Sequence, residues 1–186
     1  MITTMKKEYD LHLDWDSGTS AKAFTKIDKE SLFRLNPHWI INSFESSEDS
    51  YIARITDHET ERDSVLQGNI TFNHTGLPCL AAQDTIWERI TFGAKGGHLH
   101  AYVDYTEEPS AEEERRIVLW LRSIKEYVRL YTKTTLNTWV FRYIMNRIVL
   151  KMTPSQRKIS LMLIRVTVLE MVAILLILVG WFFLFR

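Results

Sequence analysis

The sequence predicts an α+β domain, in which an antiparallel sheet, two short helices and one long helix pack together, followed by a single transmembrane helix. Three observations carry this prediction. Between residues 8 and 105 apolar residues recur with period 2 in a succession of short segments, and from residue 111 the period changes to 3.6. The stretch VTVLEMVAILLILVGWFFLF, residues 166–185, holds one acid and no base.

EYDLHLDW opens the domain. Tyr9, Leu11, Leu13 and Trp15 alternate with Glu8, Asp10, His12 and Asp14, the pattern of a strand with one buried face. DSGTS ends it, and Ser20 suits a helix N-cap ahead of Ala21, Phe24 and Ile27. A second short helix is expected over KESLFRL and stops before Pro37, which biases Asn36 out of the helical region. HWIINSFES and SYIARITD, separated by the polar SED, read as a hairpin. TERDSVLQGNITF alternates weakly, NHTGLP marks a turn, and LPCLAA fits either a short strand or a loop. In DTIWERITF the alternation sets Ile86, Glu88, Ile90 and Phe92 against Trp87, Arg89 and Thr91. GAKGG then turns the chain into HLHAYVDY, where Leu99, Ala101, Val103 and Tyr105 form one face and His98, His100, Tyr102 and Asp104 the other.

After TEEPSAEEE, whose Ser110 and early acids suit a helix N-terminus, Ile117, Leu121, Ile124, Val128 and Tyr131 fall at helical spacings. One long amphipathic helix therefore follows the sheet. Pro154 in KMTPSQRK marks the best boundary before the final segment. A spanning helix needs about 20 mostly apolar residues, and Val166 to Phe185 meets that length and is apolar all round. The organisation read from the sequence is a domain over residues 1–131, a basic amphipathic connecting helix or membrane-surface segment over 132–158, and a transmembrane anchor over 159–186.

Charge divides along the same line. Residues 1–121 carry 12 Lys+Arg and 21 Asp+Glu, net −9, whereas residues 122–186 carry 11 and 2, net +9. Basic residues precede the apolar span and only Arg186 follows it, which by the positive-inside rule places the large N-terminal part in the cytoplasm. The start, MITTMKKEYDL, has no apolar signal region. The expectation is a tail-anchored protein with a cytoplasmic domain. A lone Cys79 excludes an intrachain disulfide and suits a reducing compartment, and the sequons at Asn69 and Asn73 read as strand and turn composition. If residues 122–151 form one helix, Arg122, Arg129, Lys133, Arg147 and Lys151 share a narrow stripe. Together with Arg157, Lys158 and Arg165 they are the candidates for contact with an anionic leaflet. Nucleic acid is the weaker partner, because the acidic first two-thirds repels phosphate. Glu170 lies about one turn inside the hydrocarbon, where a charge is costly: it either meets a partner subunit there or is simply tolerated.

Sites of chemistry are sparse. His98 and His100 with Asp104 form a candidate metal set on one strand face, against the simpler reading of a polar outer face. Cys79 has no base beside it in sequence and reads as a small buried hydrophobe, and no phosphate loop, dinucleotide fingerprint or nucleophile elbow is present. No cofactor is expected, and an enzymatic role is the lesser reading.

Strand, two short helices, a run of antiparallel strands and a long helix resembles the START-like helix-grip superfamily, also called SRPBCC. That superfamily includes Bet v 1 allergens, lipid-transfer START domains, polyketide cyclases and coenzyme-Q-binding proteins. The resemblance spans roughly residues 6–131 and rests on element order and on LFRLNPHW, TIWERITFG and HAYVDYTEEPS. It implies a curved sheet gripping the long helix, with an apolar cavity between them. Candidate cavity residues are Ile86, Ile90 and Phe92, Leu99, Ala101 and Val103, and Leu121, Ile124 and Val128 from the helix. With its anchor the chain is similar in organisation to the membrane-anchored G-type subunits of carbon monoxide dehydrogenase, whose implied role is quinone handling. Binding and transfer of an isoprenoid quinone, lipid or isoprenoid is then the leading expectation. The alternative is an accessory or assembly subunit of a membrane complex with a filled cavity, and a cyclase-like enzyme comes third.

Overall fold

A computed structural model of the chain describes residues 5–15, 24, 26–132 and 135–184. It divides into two compact units, Met1–Lys151 and Met152–Arg186.

The first unit is built on one seven-stranded sheet: β1 Met5–Asp14, β2 Trp39–Ser46, β3 Ser50–Asp57, β4 Asp63–Phe72, β5 Pro78–Gln83, β6 Trp87–Lys95 and β7 His98–Tyr105. The strands lie in the order β1-β7-β6-β5-β4-β3-β2 and every neighbouring pair is antiparallel. A short helix, α1 (Lys29–Arg34), lies between β1 and β2, and the long α2 (Ala111–Thr132) follows β7. Strand 1 thus pairs with strand 7 and the remaining strands form a meander, the helix-grip α+β architecture.

Local chemistry explains most of these elements. Asp28 caps α1, its Oδ1 accepting from the Ser31 N–H at 2.6 Å, and the helix stops at Leu35 ahead of Pro37. Ser20 and Ala21 of the earlier helical expectation lie outside the described residues, while Phe24 is buried between Trp15 and Phe92. The β2–β3 and β6–β7 hairpins form as expected, the latter through Gly96 and Gly97, both at positive φ (60° and 82°), where a side chain is strained. PCLAAQ is a strand. Beside it Gly68 is obligatory, since a Cβ there would sit 1.9 Å from the Ala81 carbonyl oxygen. Asn73 organises the β4–β5 turn, its Oδ1 accepting from the N–H groups of Thr75 and Leu77.

Two expectations need correction. In β6 a bulge between Trp87 and Arg89 shifts the alternation by one, so Trp87 joins Ile90 and Phe92 in the core while Ile86 is only half-buried just ahead of the strand. The assumed single helix over 122–151 is two: α2 ends at Thr132 and α3 (Leu136–Arg147) starts behind its own N-cap, Thr135, which accepts from the Thr138 N–H. A 3-10 turn, Val149–Lys151, closes the unit and buries Leu150.

The second unit is α4, Pro154–Leu184, started by Pro154 behind a Thr153–Gln156 capping box. Within it Pro154–Trp181, 28 residues containing an 18-residue window of mean hydropathy 2.6, is long and apolar enough to cross a bilayer.

Candidate functional site

The inner face of the sheet and the facing side of α2 share one apolar core. Leu99, Ala101 and Val103 of β7, Ile90 and Phe92 of β6, and Leu121, Ile124 and Val128 of α2 are all 0–1% exposed. The structure therefore brings eight of the nine candidate cavity residues into one cluster, with Ile86 packed at its margin. The same buried cluster holds a group of aromatic side chains. Trp120, at the middle of α2, lies 5.0 Å from Trp39, 5.8 Å from Trp87 and 6.0 Å from Phe33 between ring centroids, and donates its Nε1–H to the Leu32 carbonyl at 2.8 Å. Phe33 continues the cluster to Tyr51 and Phe44.

Beside this core an opening of about 180 Å³ is lined by Trp39, Ile86, Trp87 and Ile117 together with Asn36, His38, Glu113 and Arg116. His38 is positioned by its backbone N–H, which donates to Asn36 Oδ1 at 2.9 Å, and its Nδ1 lies 3.3 Å from Glu59 Oε1. Its Nε2 is buried and has no hydrogen-bond partner among the described residues. The same histidine also lines a neighbouring surface cleft of about 400 Å³ with Glu59, Arg115, Arg116 and Leu119. A third cleft, about 360 Å³, runs between β1 and α2 and includes Tyr9, Leu11, Leu121, Arg122 and Lys125.

Ion pairs fasten α2 at both sides of the sheet. Arg116 donates to Asp57 (2.6 Å), Glu59 (3.2 Å) and Glu112 (3.0 Å). Burial pushes the Asp57 carboxyl up, but the N–H groups of Thr60 and Glu59 and the Arg116 guanidinium outweigh it and hold the group below its ordinary 3.8. On the β1 side Lys7 donates to Glu114 at 2.7 Å, and the Tyr9 hydroxyl donates to the same carboxylate at 3.0 Å while lying 2.9 Å from the Tyr105 hydroxyl. Hydrogen bonds from Lys7 and then Tyr9 lower the Glu114 carboxyl, whereas burial raises the Tyr9 and Tyr105 hydroxyls. Sequence reasoning missed both groups, since their members lie about sixty to a hundred residues apart in the chain.

The histidine set divides. His98 Nδ1 lies 3.6 Å from Asp14, and His100 Nδ1 lies 3.0 Å from Glu8. The outer face does not leave His100 in solvent as expected: beside Glu8 and Tyr102 it is only 9% exposed. Asp104 is not drawn to either, and among the described residues no three metal-ligating side chains come together.

The basic candidates also separate. Arg122 and Arg129 lie on α2, Arg129 paired with Glu126 at 2.7 Å. Arg147 ends α3, Lys151 ends the 3-10 turn, and Arg157, Lys158 and Arg165 lie on α4. Lys133 lies outside the described residues. The break at Thr135 removes the single stripe that a continuous helix would have made. Glu170 is exposed on α4.

No family model and no curated protein matches the sequence. Among solved structures the chain is similar to an AHSA1-like protein from Aeromonas hydrophila, with 13% identity and a TM-score of 0.48 over 67% of this chain and 92% of that one. It is similar also to protein CV1439 from Chromobacterium violaceum (14%, TM-score 0.47, covering 71% and 99%) and to Ara h 8.0201 (18%, TM-score 0.39, covering 68% and 97%). These are likenesses of shape, and the architecture of this chain, read from its own strand order and its gripped helix, is the helix-grip fold.

Proposed function

We propose that this is a membrane-anchored, non-catalytic protein that binds and transfers a hydrophobic molecule of bilayer origin, in the class of isoprenoid quinones, other isoprenoids and lipids. The observation that carries this reading is the opening at Trp39, Ile86, Trp87 and Ile117: its two tryptophans belong to the aromatic core around Trp120, and one of its lining residues is His38, whose Nε2 is buried and has no hydrogen-bond partner among the described residues. Half of the lining is apolar and half, Asn36, His38, Glu113 and Arg116, is polar; the apolar half would hold a hydrophobic ligand and the polar half would orient its head. Once uncovered, His38 Nε2, which is closed off from solvent in the structure, would take a carbonyl or hydroxyl of the ligand's head, and the tail would lie along the tryptophans. At about 180 Å³ the opening admits part of such a ligand, less than the roughly 300–1,000 Å³ of sites that enclose a whole one. Full seating would therefore need α2 to move outward from Trp39 and Trp87. In this reading α4 is the anchor and the first unit faces the cytoplasm.

The test uses the full chain in mild detergent, titrated with decylubiquinone while tryptophan fluorescence is followed. Saturable quenching that is weakened in Ile86→Phe, which fills the opening, supports the reading. Unsaturated quenching that is equal in both proteins overturns it.

The close filling of the interior by Trp120, Phe33 and Tyr51 favours one other reading, an accessory subunit of a membrane complex. Such a protein would co-purify with other membrane polypeptides and retain no ligand.

A further inference from the structure

α3 is an amphipathic helix whose apolar side is left largely open by the described residues of the first unit. Its inner side is fastened to α2. Arg142 donates its Nε–H to the Leu130 carbonyl at 2.7 Å and lies over the Tyr131 ring at 4.8 Å, Asn146 donates to the Tyr131 hydroxyl at 2.8 Å, and the Tyr127 hydroxyl donates to Asn146 Oδ1 at 3.1 Å. Met145 packs against the core and Leu150, just beyond, is buried. With that side fixed, the rest of the helix points away: Trp139 is 64% exposed, Phe141 and Tyr143 58%, and Val140, Ile144 and Ile148 between 37% and 43%. Two aromatic types that favour membrane interfaces, Trp and Tyr, are among them.

Charge names what covers this face. From Tyr127 to Leu169 the sequence holds no Asp or Glu, and Arg129, Lys133, Arg142, Arg147, Lys151, Arg157, Lys158 and Arg165 are its eight bases. α3 ends seven residues before Pro154 opens the helix long enough to span a bilayer. We infer that α3 lies in the plane of an anionic phospholipid leaflet, its Trp139–Ile144 side at the boundary between headgroups and acyl chains and Arg147 and Lys151 among the phosphates. An apolar face flanked by bases is the pattern of an interfacial helix, and it replaces the continuous basic stripe as the surface that meets lipid. α2 is then held close to the membrane by the Tyr127–Tyr131–Asn146 network, not by its own charges.

This inference rests on the membrane reading of α4 but not on any ligand. The experiment places a nitroxide at position 140, 144, 54 or 175, one at a time, in the full chain carrying Cys79→Ser (Val140→Cys, Ile144→Cys, Arg54→Cys, Leu175→Cys). Each protein is reconstituted into vesicles of phosphatidylcholine and phosphatidylglycerol at 3:1, and collision with oxygen and with a water-soluble nickel chelate is measured. Labels at 140 and 144 are expected to meet oxygen and be shielded from nickel, unlike the solvated label at 54, and Arg147→Gln is expected to weaken seating about fivefold. Nickel access at 140 and 144 equal to that at 54 overturns the inference, and the label at 175 then reports whether the anchor itself still spans. Shielding from both reagents with spin–spin broadening overturns it too, in favour of contact between two copies. A second measurement spares the cysteines: in vesicles of acyl-brominated lipid the quenched fraction of tryptophan emission is expected to fall from the unaltered chain to Trp139→Phe. An unchanged fraction overturns the inference.

Discussion

α2 and α3 follow one another in the chain and carry similar residues, yet they use their apolar sides in opposite ways. α2 buries Ile117, Trp120, Leu121, Ile124, Tyr127 and Val128 against the sheet, whereas α3 leaves Trp139, Phe141 and Tyr143 more than half exposed. The difference lies in what faces each helix. The sheet offers α2 a matching row of Leu99, Ala101 and Val103, and aromatic pairs lock the fit through Trp120. α3 is fixed by polar contacts on its narrow inner side, so its wide apolar side has to be satisfied by something other than this sheet. Amphipathicity specifies a medium, and the medium need not be protein.

Five substitutions break or sharpen that contrast. Trp120→Ala removes the central ring of the core and strands the Leu32 carbonyl, and is expected to cost about 3–5 kcal/mol of stability in a denaturant melt of the full chain in detergent. Trp139→Ala, the same change on α3, is expected to leave that melt within about 0.5 kcal/mol. Equal losses would mean that α3 also packs inward. Next in size, Gly68→Ala drives a methyl into the Ala81 carbonyl and is expected to cost about 1–3 kcal/mol, read as a lower melting midpoint with an unchanged slope.

Smaller still is the clasp between α2 and the β3 end. The Asp57 carboxyl is held below its ordinary 3.8, so the stability it lends is complete above that value and is lost as pH falls through the lower folded value. Thermal midpoints are therefore expected to be flat between pH 7 and about 5 and to drop below about pH 4. Asp57→Asn is expected to lower the neutral plateau and flatten the acid drop; an acid drop as steep as in the unaltered chain would assign it to other carboxylates. The smallest effect belongs to His38→Gln, which is expected to weaken decylubiquinone quenching about 2- to 10-fold, the worth of one hydrogen bond, without moving the melt. No change in quenching would remove His38 from the site.

Much of this architecture is legible in the sequence because it is periodic. The alternation through Leu99, Ala101 and Val103 and the helical spacing of Ile117, Leu121, Ile124 and Val128 place the core from both sides. What periodicity cannot show is where its phase slips. The bulge at Trp87 moves that ring into the core with no local composition signal, and the break between α2 and α3 is marked only by Thr135 and Thr138, a capping pair inside a run rich in threonine. The opening near His38 was beyond reach for another reason. It joins a loop before β2, the start of β6 and the first turns of α2, and no spacing rule connects Trp39, Ile86 and Ile117. His100 shows the limit of alternation itself: its outward position is right, but Glu8 on the neighbouring strand and Tyr102 cover it.

The central claim, that the apolar interior takes a ligand while α3 and α4 take the membrane, is tested most directly by what the protein carries. The full chain and its Ile86→Phe variant would be purified in mild detergent, extracted with organic solvent and compared by mass spectrometry with detergent taken through the same steps. The account expects one quinone, isoprenoid or lipid species at near one-to-one ratio in the unaltered chain and its depletion in the variant. Identical extracts from both proteins, reflecting only bulk membrane lipid, together with co-purifying membrane polypeptides, would contradict it and leave the filled core as that of an accessory subunit.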